Sequence, residues 1–282
     1  MIKILLPTDF SKASINAIEH ALNFASGNKI KLILYHSFIP FDSAFNGSPE
    51  FRKKEIIKTE QVLKSKIEKL KAKLHADHPD CNLETCIDKG AETQEIISYS
   101  KKNKIDLIIM GTTGASGLKE IIIGSVTVAI IDNSECPVLV VPSNYKFKSI
   151  ETMLMPTNYT LYDLVALKFL FQFSITKNAA IHFLHINLKG KPSVKETELI
   201  EAFKKTINSL FKKRNKVFNL IHDDDAEKCI SSLVKKEKID LTVMTTTKRK
   251  SFIDRFFHSS LTKKMAFHTR IPLLVVPVNE LQ

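Results

Sequence analysis

A glycine-rich segment, Gly111–Ser125, carries the residues with the clearest chemical potential. It follows an apolar run that ends at Met110, and it leads into a predicted helix that starts at Gly124. Glycines let the backbone approach a ligand closely. The N-terminus of a helix offers unpaired N–H groups and a partial positive charge, to which Ser125 or Thr127 adds a hydroxyl donor. This combination predicts a loop that binds a polyphosphate.

The segment matches neither of two familiar phosphate-binding motifs. It lacks the Gly-Lys-Ser/Thr that ends a Walker A loop, and it does not follow the first strand as a GxGxxG fingerprint does. A glycine-rich loop alone can be a simple turn, so its position in the fold decides its interpretation.

Asp9 is a second candidate for this binding site because of its predicted position in the fold. In open parallel sheets, ligands lie beyond the carboxyl ends of the strands, at a switch in strand order. Asp9 follows the first predicted strand and Gly111 follows the fourth, so both face one crevice if these strands are neighbours. There Asp9 would accept a hydrogen bond from an adenine amine or a ribose hydroxyl. The alternative is that Asp9 only caps the helix that begins near Ser11.

Strands and helices alternate along the chain, which predicts an α/β fold with a parallel sheet covered on both faces. In the first half, strands are predicted near residues 2–7, 30–37, 82–87, 105–110 and 137–141. Helices are predicted near residues 11–26, 50–76, 91–103 and 124–133.

The chain also repeats itself once. Three segments recur in the same order: Ile4–Asp9 as Met153–Asn158, Ile105–Met110 as Ile239–Met244, and Cys136–Pro142 as Ile271–Pro277. A duplicated fold is the simplest account. The sequence therefore predicts two domains, residues 1–142 and 150–282, separated by a polar stretch.

The spacing Gly111-x2-Gly114-x9-Gly124-Ser125 resembles the nucleotide motif of the universal stress protein family. Leu5–Ser11 and Cys136–Pro142 resemble the family's first and closing strands. Since the repeats extend this likeness over the chain, the protein resembles a tandem two-domain member. The resemblance implies two doubly wound domains of the adenine nucleotide alpha hydrolase-like fold. Each would be a five-stranded parallel sheet of order 3-2-1-4-5, flanked by helices.

The resemblance further implies which positions of residues 1–142 contact ATP or another adenine nucleotide, with or without Mg²⁺. Those positions are Pro7, Thr8 and Asp9 beside the adenosine, Ser37 near the adenine, Met110 and Gly111 on the floor, and Gly114, Gly124, Ser125, Val126 and Thr127 around the ribose and phosphates. In the family, closing strands pair across a two-fold. This predicts an intramolecular pseudo-dimer of the two domains, with a homodimer as a further option.

The second copy departs from this pattern. The replacements are Asn158 for Asp9, Thr245 for Gly111, Lys248 for Gly114, and Ser259 and Ser260 for Gly124 and Ser125. The loop from residue 245 to 258 contains no glycine and carries Lys248-Arg249-Lys250. We therefore expect residues 150–282 not to bind a nucleotide in the family's manner. A remodelled anion site is the alternative.

Charge is divided unevenly between the halves. The net charge is +12, with 18 basic against 17 acidic residues in positions 1–142 and 24 against 13 in the remainder. An alternative function is binding of nucleic acid or an acidic partner, because basic residues and phenylalanines cluster near Lys248–Phe257. Solvated helix faces are the simpler interpretation.

Other patterns exclude several function classes. No run of 18 apolar residues predicts a membrane span, and the first strand is too short for a signal peptide, so we expect a cytoplasmic protein. None of the four cysteines has CxxC spacing, which fits a reduced environment. His182 and His185 are an odd number of residues apart on one strand, so they point to opposite faces and predict no shared metal.

The sequence accordingly predicts a nucleotide-binding regulatory protein of the stress response rather than an enzyme. No catalytic residue is predicted, since only Asp9 and Lys119 lie near the loop as candidate groups. A weak ATPase, or a phosphoryl or nucleotidyl transferase, is the enzymatic alternative.

Overall fold

The computed structural model describes residues 1–25, 29–40, 48–112, 124–173, 176, 178–187, 194–223, 225–247 and 270–278. By its internal contacts the chain divides into two units, Met1–Asn144 (unit 1) and Tyr145–Gln282 (unit 2).

The described part of unit 1 alternates strands with helices. Its strands are β1 (Ile2–Pro7), β2 (Ile30–Phe38), β3 (Asn82–Lys89), β4 (Leu107–Gly111) and β5 (Val138–Val141). Its helices are α1 (Lys12–Ala25), α2 (Pro49–Asp77), α3 (Glu92–Lys102) and α4 (Ser125–Asn133). The strands pair in parallel in the order β3-β2-β1-β4-β5, which confirms the predicted order.

Helices cover both faces of this sheet. A Cβ on Gly111 would point at the backbone of Ala13 in α1, so α1 lies on the Gly111 face. Tyr35 is in register with Pro7, on the other face, and its ring contacts that of Tyr99 in α3. α4 packs against α3 and α2 packs on β3, where Thr85 donates to Glu68. The apolar strands β1 and β4 are therefore buried between two helical layers.

Unit 2 repeats the same order of elements. Its strands are β6 (Thr152–Pro156), β7 (Ala180–Asn187), β8 (Lys216–His222), β9 (Leu241–Thr247) and β10 (Leu273–Val278). Its described helices are α5 (Leu161–Leu170), α6 (Val194–Leu210) and α7 (Ala226–Lys236). All pairings within the unit are parallel, in the order β8-β7-β6-β9-β10. Counted along the chain, this is again 3-2-1-4-5, as predicted.

Two strand boundaries were predicted wrongly. β3 ends at Lys89, two residues later than expected. β4 begins at Leu107, two residues later than expected, because Asp106 uses its side chain at this point. The Asp106 carboxylate accepts from the Lys3 backbone N–H at 2.8 Å, and the Asp106 N–H donates to the Lys3 carbonyl at 3.0 Å. Asp240 does the same in unit 2, where its carboxylate accepts from the backbone N–H groups of Glu151 and Thr152 at the start of β6. A repeated aspartate thus aligns the first and fourth strands in each unit.

Candidate functional site

The carboxyl end of unit 1's sheet contains a switch in strand order. β1 lies between β2 and β4, with Ile4 in register with Leu107 and Leu5 with Ile108. The chain leaves β1 toward β2 and later returns to the opposite side of β1 as β4. Such a switch point is where ligands bind in open α/β sheets. The expectation that the first and fourth strands are neighbours is confirmed.

The residues after β1 form a tightly bonded turn. Thr8 is 2% exposed, and its N–H donates to the Tyr35 carbonyl at 2.8 Å. Its hydroxyl accepts from the Phe10 N–H and is 3.0 Å from the Ser14 hydroxyl in α1. Phe10 has a positive φ of 63°, a conformation that is uncommon for a bulky residue. These bonds fix the exit from β1 at the edge of the switch point.

Asp9 lies exposed within this turn. Its carboxylate accepts from the Ser11 N–H at 2.9 Å, and Ser11 in turn caps α1 by accepting from the Ser14 N–H at 3.2 Å. Burial alone would raise the pKa of Asp9, but hydrogen bonds from Ser11 and Ser14 outweigh that effect and hold the pKa below its usual value. Asp9 therefore presents a negative charge at this edge and stabilises the turn, whereas the residue that caps α1 is Ser11 and not Asp9.

Gly111 and Thr127 join the end of β4 to two helices. A Cβ on Gly111 would lie 2.3 Å from the Ala13 carbonyl oxygen, so the lack of a side chain is already required by α1. Thr127 is buried, and its hydroxyl donates to the Gly111 carbonyl at 3.3 Å. Met110, the preceding residue, is buried on the face opposite α1. The structure thus gives Gly111 a packing role that sequence reasoning did not foresee.

The N-terminus of α4 has no side-chain cap among the described residues. Gly124 is its N-cap residue and provides no side-chain cap, and the first turn contains no acidic residue. Ser125 is exposed and Val126 is half-buried. A helix N-terminus carries a partial positive charge, and one without a cap or acidic residues favours an anion. Gly114 and Lys119, predicted to belong to the same loop, lie outside the described residues.

Two further polar side chains lie at this edge on the face of α3. Ser37 is 9% exposed, and its hydroxyl has no hydrogen-bond partner among the described residues. Glu92 is the first residue of α3, after an N-cap, Ala91, that provides no side-chain cap. Burial raises the pKa of Glu92, and the charge of Asp9 raises it further.

Sequence reasoning missed a histidine that supports the turn in both units. His36 Nδ1 donates to the Thr8 carbonyl at 2.7 Å, and its ring lies 4.9 Å from that of Phe10. His185 donates in the same way to the Thr157 carbonyl at 2.8 Å. The two histidines are each 28 residues after their threonine. Aligning the repeats beyond the three matched segments would have found this pair.

Unit 2 differs from unit 1 at the turn after its first strand and at the start of α7, which has a side-chain cap that α3 lacks. Asn158 stands at the position of Asp9, and the neighbouring carboxylate, Asp163, is 2% exposed and accepts from the Thr157 hydroxyl at 2.6 Å. Asp163 also completes a capping box with Thr160 at the start of α5. Asp225 caps α7 by accepting from the Lys228 N–H.

Other predicted features of unit 2 lie outside the described residues. They are Lys248, Arg249, Lys250, Ser259, Ser260 and the phenylalanines beyond residue 250. Thr245, at the position of Gly111, is half-buried in β9.

Metal-binding clusters and membrane-spanning helices were looked for in the part of the chain that the structure describes. Within it, no group of three or more His, Cys, Asp or Glu side chains is arranged to hold a metal ion. No helix in the described ranges is both long and apolar enough to cross a membrane. The four cysteines are free thiols, and burial raises the pKa of each.

Comparisons with known proteins agree with this fold. The universal stress protein family model matches residues 1–142. Universal stress protein MJ0531 of Methanocaldococcus jannaschii is 37% identical over 141 residues, which are 49% of this chain and 81% of that protein. MJ0577 of the same organism is 33% identical over 153 residues, covering 49% and 93% of the two chains.

A solved structure extends the likeness to both units. The universal stress protein from Archaeoglobus fulgidus DSM 4304 superposes with a TM-score of 0.74 at 19% identity, over 98% of each chain. At this identity the superposition shows the shared fold. The family model and the sequence relatives show the family, and the protein is a member of the universal stress protein family.

Proposed function

We propose that unit 1 binds ATP or another adenine nucleotide at the carboxyl end of its sheet and acts as a nucleotide-controlled regulatory protein. The observation that carries this proposal is the uncapped N-terminus of α4 beside the switch between β1 and β4. Phosphate oxygens are suitable partners for the N–H groups of Ser125–Thr127. Mg²⁺ would enter with the phosphates, since it is commonly held by phosphates and waters more than by a protein cage.

In this proposal the adenosine lies on the other side of this switch point. Pro7–Asp9 form one wall, Met110 lies on the floor, and the Ser37 hydroxyl offers a hydrogen bond that no described residue uses. The Gly111 carbonyl is anchored by Thr127, which keeps the floor and α4 in a fixed relation. Gly114 belongs to this proposal on the strength of the family spacing alone.

Unit 2 supports the proposal by contrast. On the same scaffold it has Asn158 instead of Asp9, while the segment that corresponds to the start of α4 lies outside the described residues. We propose that only unit 1 binds a nucleotide in this manner, giving one site per chain. The proposed domain limits are 1–142 for the intact site and 150–282 for the degenerate copy.

Substitution at Gly124 tests the function without relying on a damaged fold. Gly124 has φ −65° and ψ 148°, which any residue adopts as an N-cap. In Gly124→Asp, the new carboxylate would cap α4 and repel phosphate, so the helix is kept and the nucleotide is lost. Isothermal titration of ATP into the full chain should show one site, weakened at least roughly tenfold by this substitution.

Thr160→Asp is the matched control, because it places the same N-cap residue on α5 of unit 2. ATP binding should be unchanged in it. Unchanged affinity in Gly124→Asp, or equal loss in both variants, would contradict the proposed site.

Pairing of the two units as an intramolecular pseudo-dimer, and homodimer formation, are further proposals that rest on the apolar closing strands of the sequence. Light scattering after size exclusion distinguishes a single chain of 31.9 kDa from a homodimer.

A further inference from the structure

β8 (Lys216–His222) is the outer strand of unit 2, and among the described residues it pairs with β7 alone. The Ile181 N–H in β7 donates to the Asn215 carbonyl at 2.9 Å. Because successive residues of a strand point their backbone groups to opposite sides, the even-numbered residues from 216 to 222 direct their N–H and C=O groups away from β7. A row of such groups at a sheet edge is a template for pairing with another chain.

The outer strand of unit 1, β3, provides an internal comparison for this edge. β3 pairs with β2 as β8 pairs with β7. Ile87 of β3 is in register with His36, and Leu220 of β8 is in register with the equivalent histidine, His185. Positions in β3 and β8 therefore correspond at a separation of 133 residues.

Two carboxylates on β3 have apolar counterparts on β8. Glu84 corresponds to Val217, which is 36% exposed. Asp88 corresponds to Ile221, which is half-buried. Glu84 is exposed and forms an ion pair with Lys31 at 2.7 Å. Since charged side chains on an edge strand discourage pairing with other chains, β8 lacks a protection that the same fold carries on β3.

The segments on either side of β8 carry opposite charges. Lys212-Lys213-Arg214 precedes the strand, and Asp223-Asp224-Asp225 follows it. Lys212, Lys213 and Asp225 are exposed. An antiparallel copy of the same strand would place the basic end of each chain beside the acidic end of the other, and opposite charges across a strand pair stabilise it. A uniformly charged peptide would match only one of these ends.

We propose that β8 is a dimerisation edge, where two copies of this chain join through an antiparallel β8–β8 pair about a two-fold axis at Asn219. This register lets the outward backbone groups of residues 216 and 222, and of 218 and 220, bond to each other between the copies. It also matches side chains of like character or opposite charge, the opposed pairs being Val217 with Ile221, Phe218 with Leu220, and Lys213 with Asp225.

Helix α6 adds exposed apolar surface on one face of this edge. Its Phe203 packs edge-on against Phe183 of β7, on which Phe218 of β8 is stacked. Leu199 and Leu210 of α6 are 48% and 54% exposed, and their spacing of about three turns puts them on one side of the helix. Because a strand pair alone buries little surface, a stable dimer needs such additional apolar contacts.

Sedimentation velocity of the full chain tests the proposed dimer. Wild type should associate to twice 31.9 kDa within roughly 1–100 μM. Val217→Glu gives β8 the carboxylate that β3 carries at Glu84, so the fold accommodates it. It should raise the dissociation constant roughly tenfold for each of the two copies in the dimer. Val165→Glu, at a 43% exposed position on α5, is the matched control and should leave the dimer unchanged.

Cross-linking tests the register. Asn219 would lie opposite its own copy in a non-hydrogen-bonded pair, where Cα atoms are about 4.5 Å apart and within reach of a disulfide. Asn219→Cys, which copies Cys86 of β3, should therefore form an intermolecular disulfide when oxidised glutathione is supplied as the oxidant. Asn215→Cys is exposed, but its two copies would be roughly 27 Å apart, so it should not cross-link.

Three results would overturn the inference. Wild type that stays monomeric over this range removes the dimer, including the case in which β8 pairs with a different protein. A dimer that Val217→Glu does not weaken uses another surface, such as the closing strands. If Val217→Glu fails to fold by circular dichroism, the absence of a disulfide in Asn219→Cys is decisive against β8. None of these results depends on nucleotide binding, so the proposed function is tested separately.

Discussion

Gly111→Ala is expected to loosen unit 1 even when no nucleotide is present. The added Cβ would lie 2.3 Å from the Ala13 carbonyl oxygen and 2.6 Å from its carbon, whereas ordinary contacts begin near 3.4 Å. Both atoms are backbone, so the first turn of α1 would have to move by about 1 Å. A shift of that size also breaks the 3.0 Å contact between the Thr8 and Ser14 hydroxyls.

The magnitude follows from these two effects. Overpacking of a dense interior costs about 1–3 kcal/mol, and a lost internal hydrogen bond costs about 1 kcal/mol. We therefore expect the free energy of opening in unit 1 to fall by about 2–4 kcal/mol. In hydrogen exchange this corresponds to roughly 30- to 700-fold faster exchange of the amides in α1 and β4.

Exchange measured by mass spectrometry on the nucleotide-free full chain provides the assay. Thr245→Ala is the matched control, because this position in β9 already accommodates a side chain; it should leave exchange in α1 unchanged. If Gly111→Ala exchanges within about twofold of wild type in α1 and β4, α1 does not pack against the end of β4 as described, and the packing role of Gly111 is wrong.

The threonines after β1 and β6 give one further prediction, and the buried His20 of α1 gives another. Thr157→Val removes a donor to the buried carboxylate of Asp163, so it should lower the free energy of unfolding by about 3 kcal/mol. Thr8→Val should lower it by only about 1–2 kcal/mol, because the partners of the Thr8 hydroxyl are neutral. Denaturant unfolding that reverses this order would contradict the prediction. Burial lowers the pKa of His20 from 6.5 to about 4. Between these pH values the unfolded chain therefore binds more protons than the folded chain. The free energy of unfolding should fall by up to about 3 kcal/mol as the pH falls from 6.5 to about 4. His20→Gln should remove this part of the pH dependence, and an identical acid profile in the variant would refute the assignment.

Sequence reasoning predicted the sheet order because it depended on features that repeat. The apolar strands, the duplicated segments and the family spacing all led to 3-2-1-4-5, which both units adopt. The start of β4 was missed because Asp106 bonds with its side chain before the strand begins, and hydrophobicity does not report such a bond.

The site was predicted less completely. Gly111 was explained from the sequence by contact with a ligand. Its contact with Ala13 depends on how closely α1 approaches β4, which the spacing of residues in the sequence does not reveal. Glu92 and His36 were missed because each acts through a partner distant in sequence, Asp9 and Thr8 respectively. The Ser37 position came only from the family resemblance; its unpartnered hydroxyl is a property of the folded chain.

Native mass spectrometry of the full chain titrated with ATP tests the central claim most directly. The account predicts one nucleotide per chain in wild type and in Thr160→Asp, and none in Gly124→Asp at the same concentration. Two nucleotides per chain, none in wild type, or one retained in Gly124→Asp would contradict a single site at the N-terminus of α4.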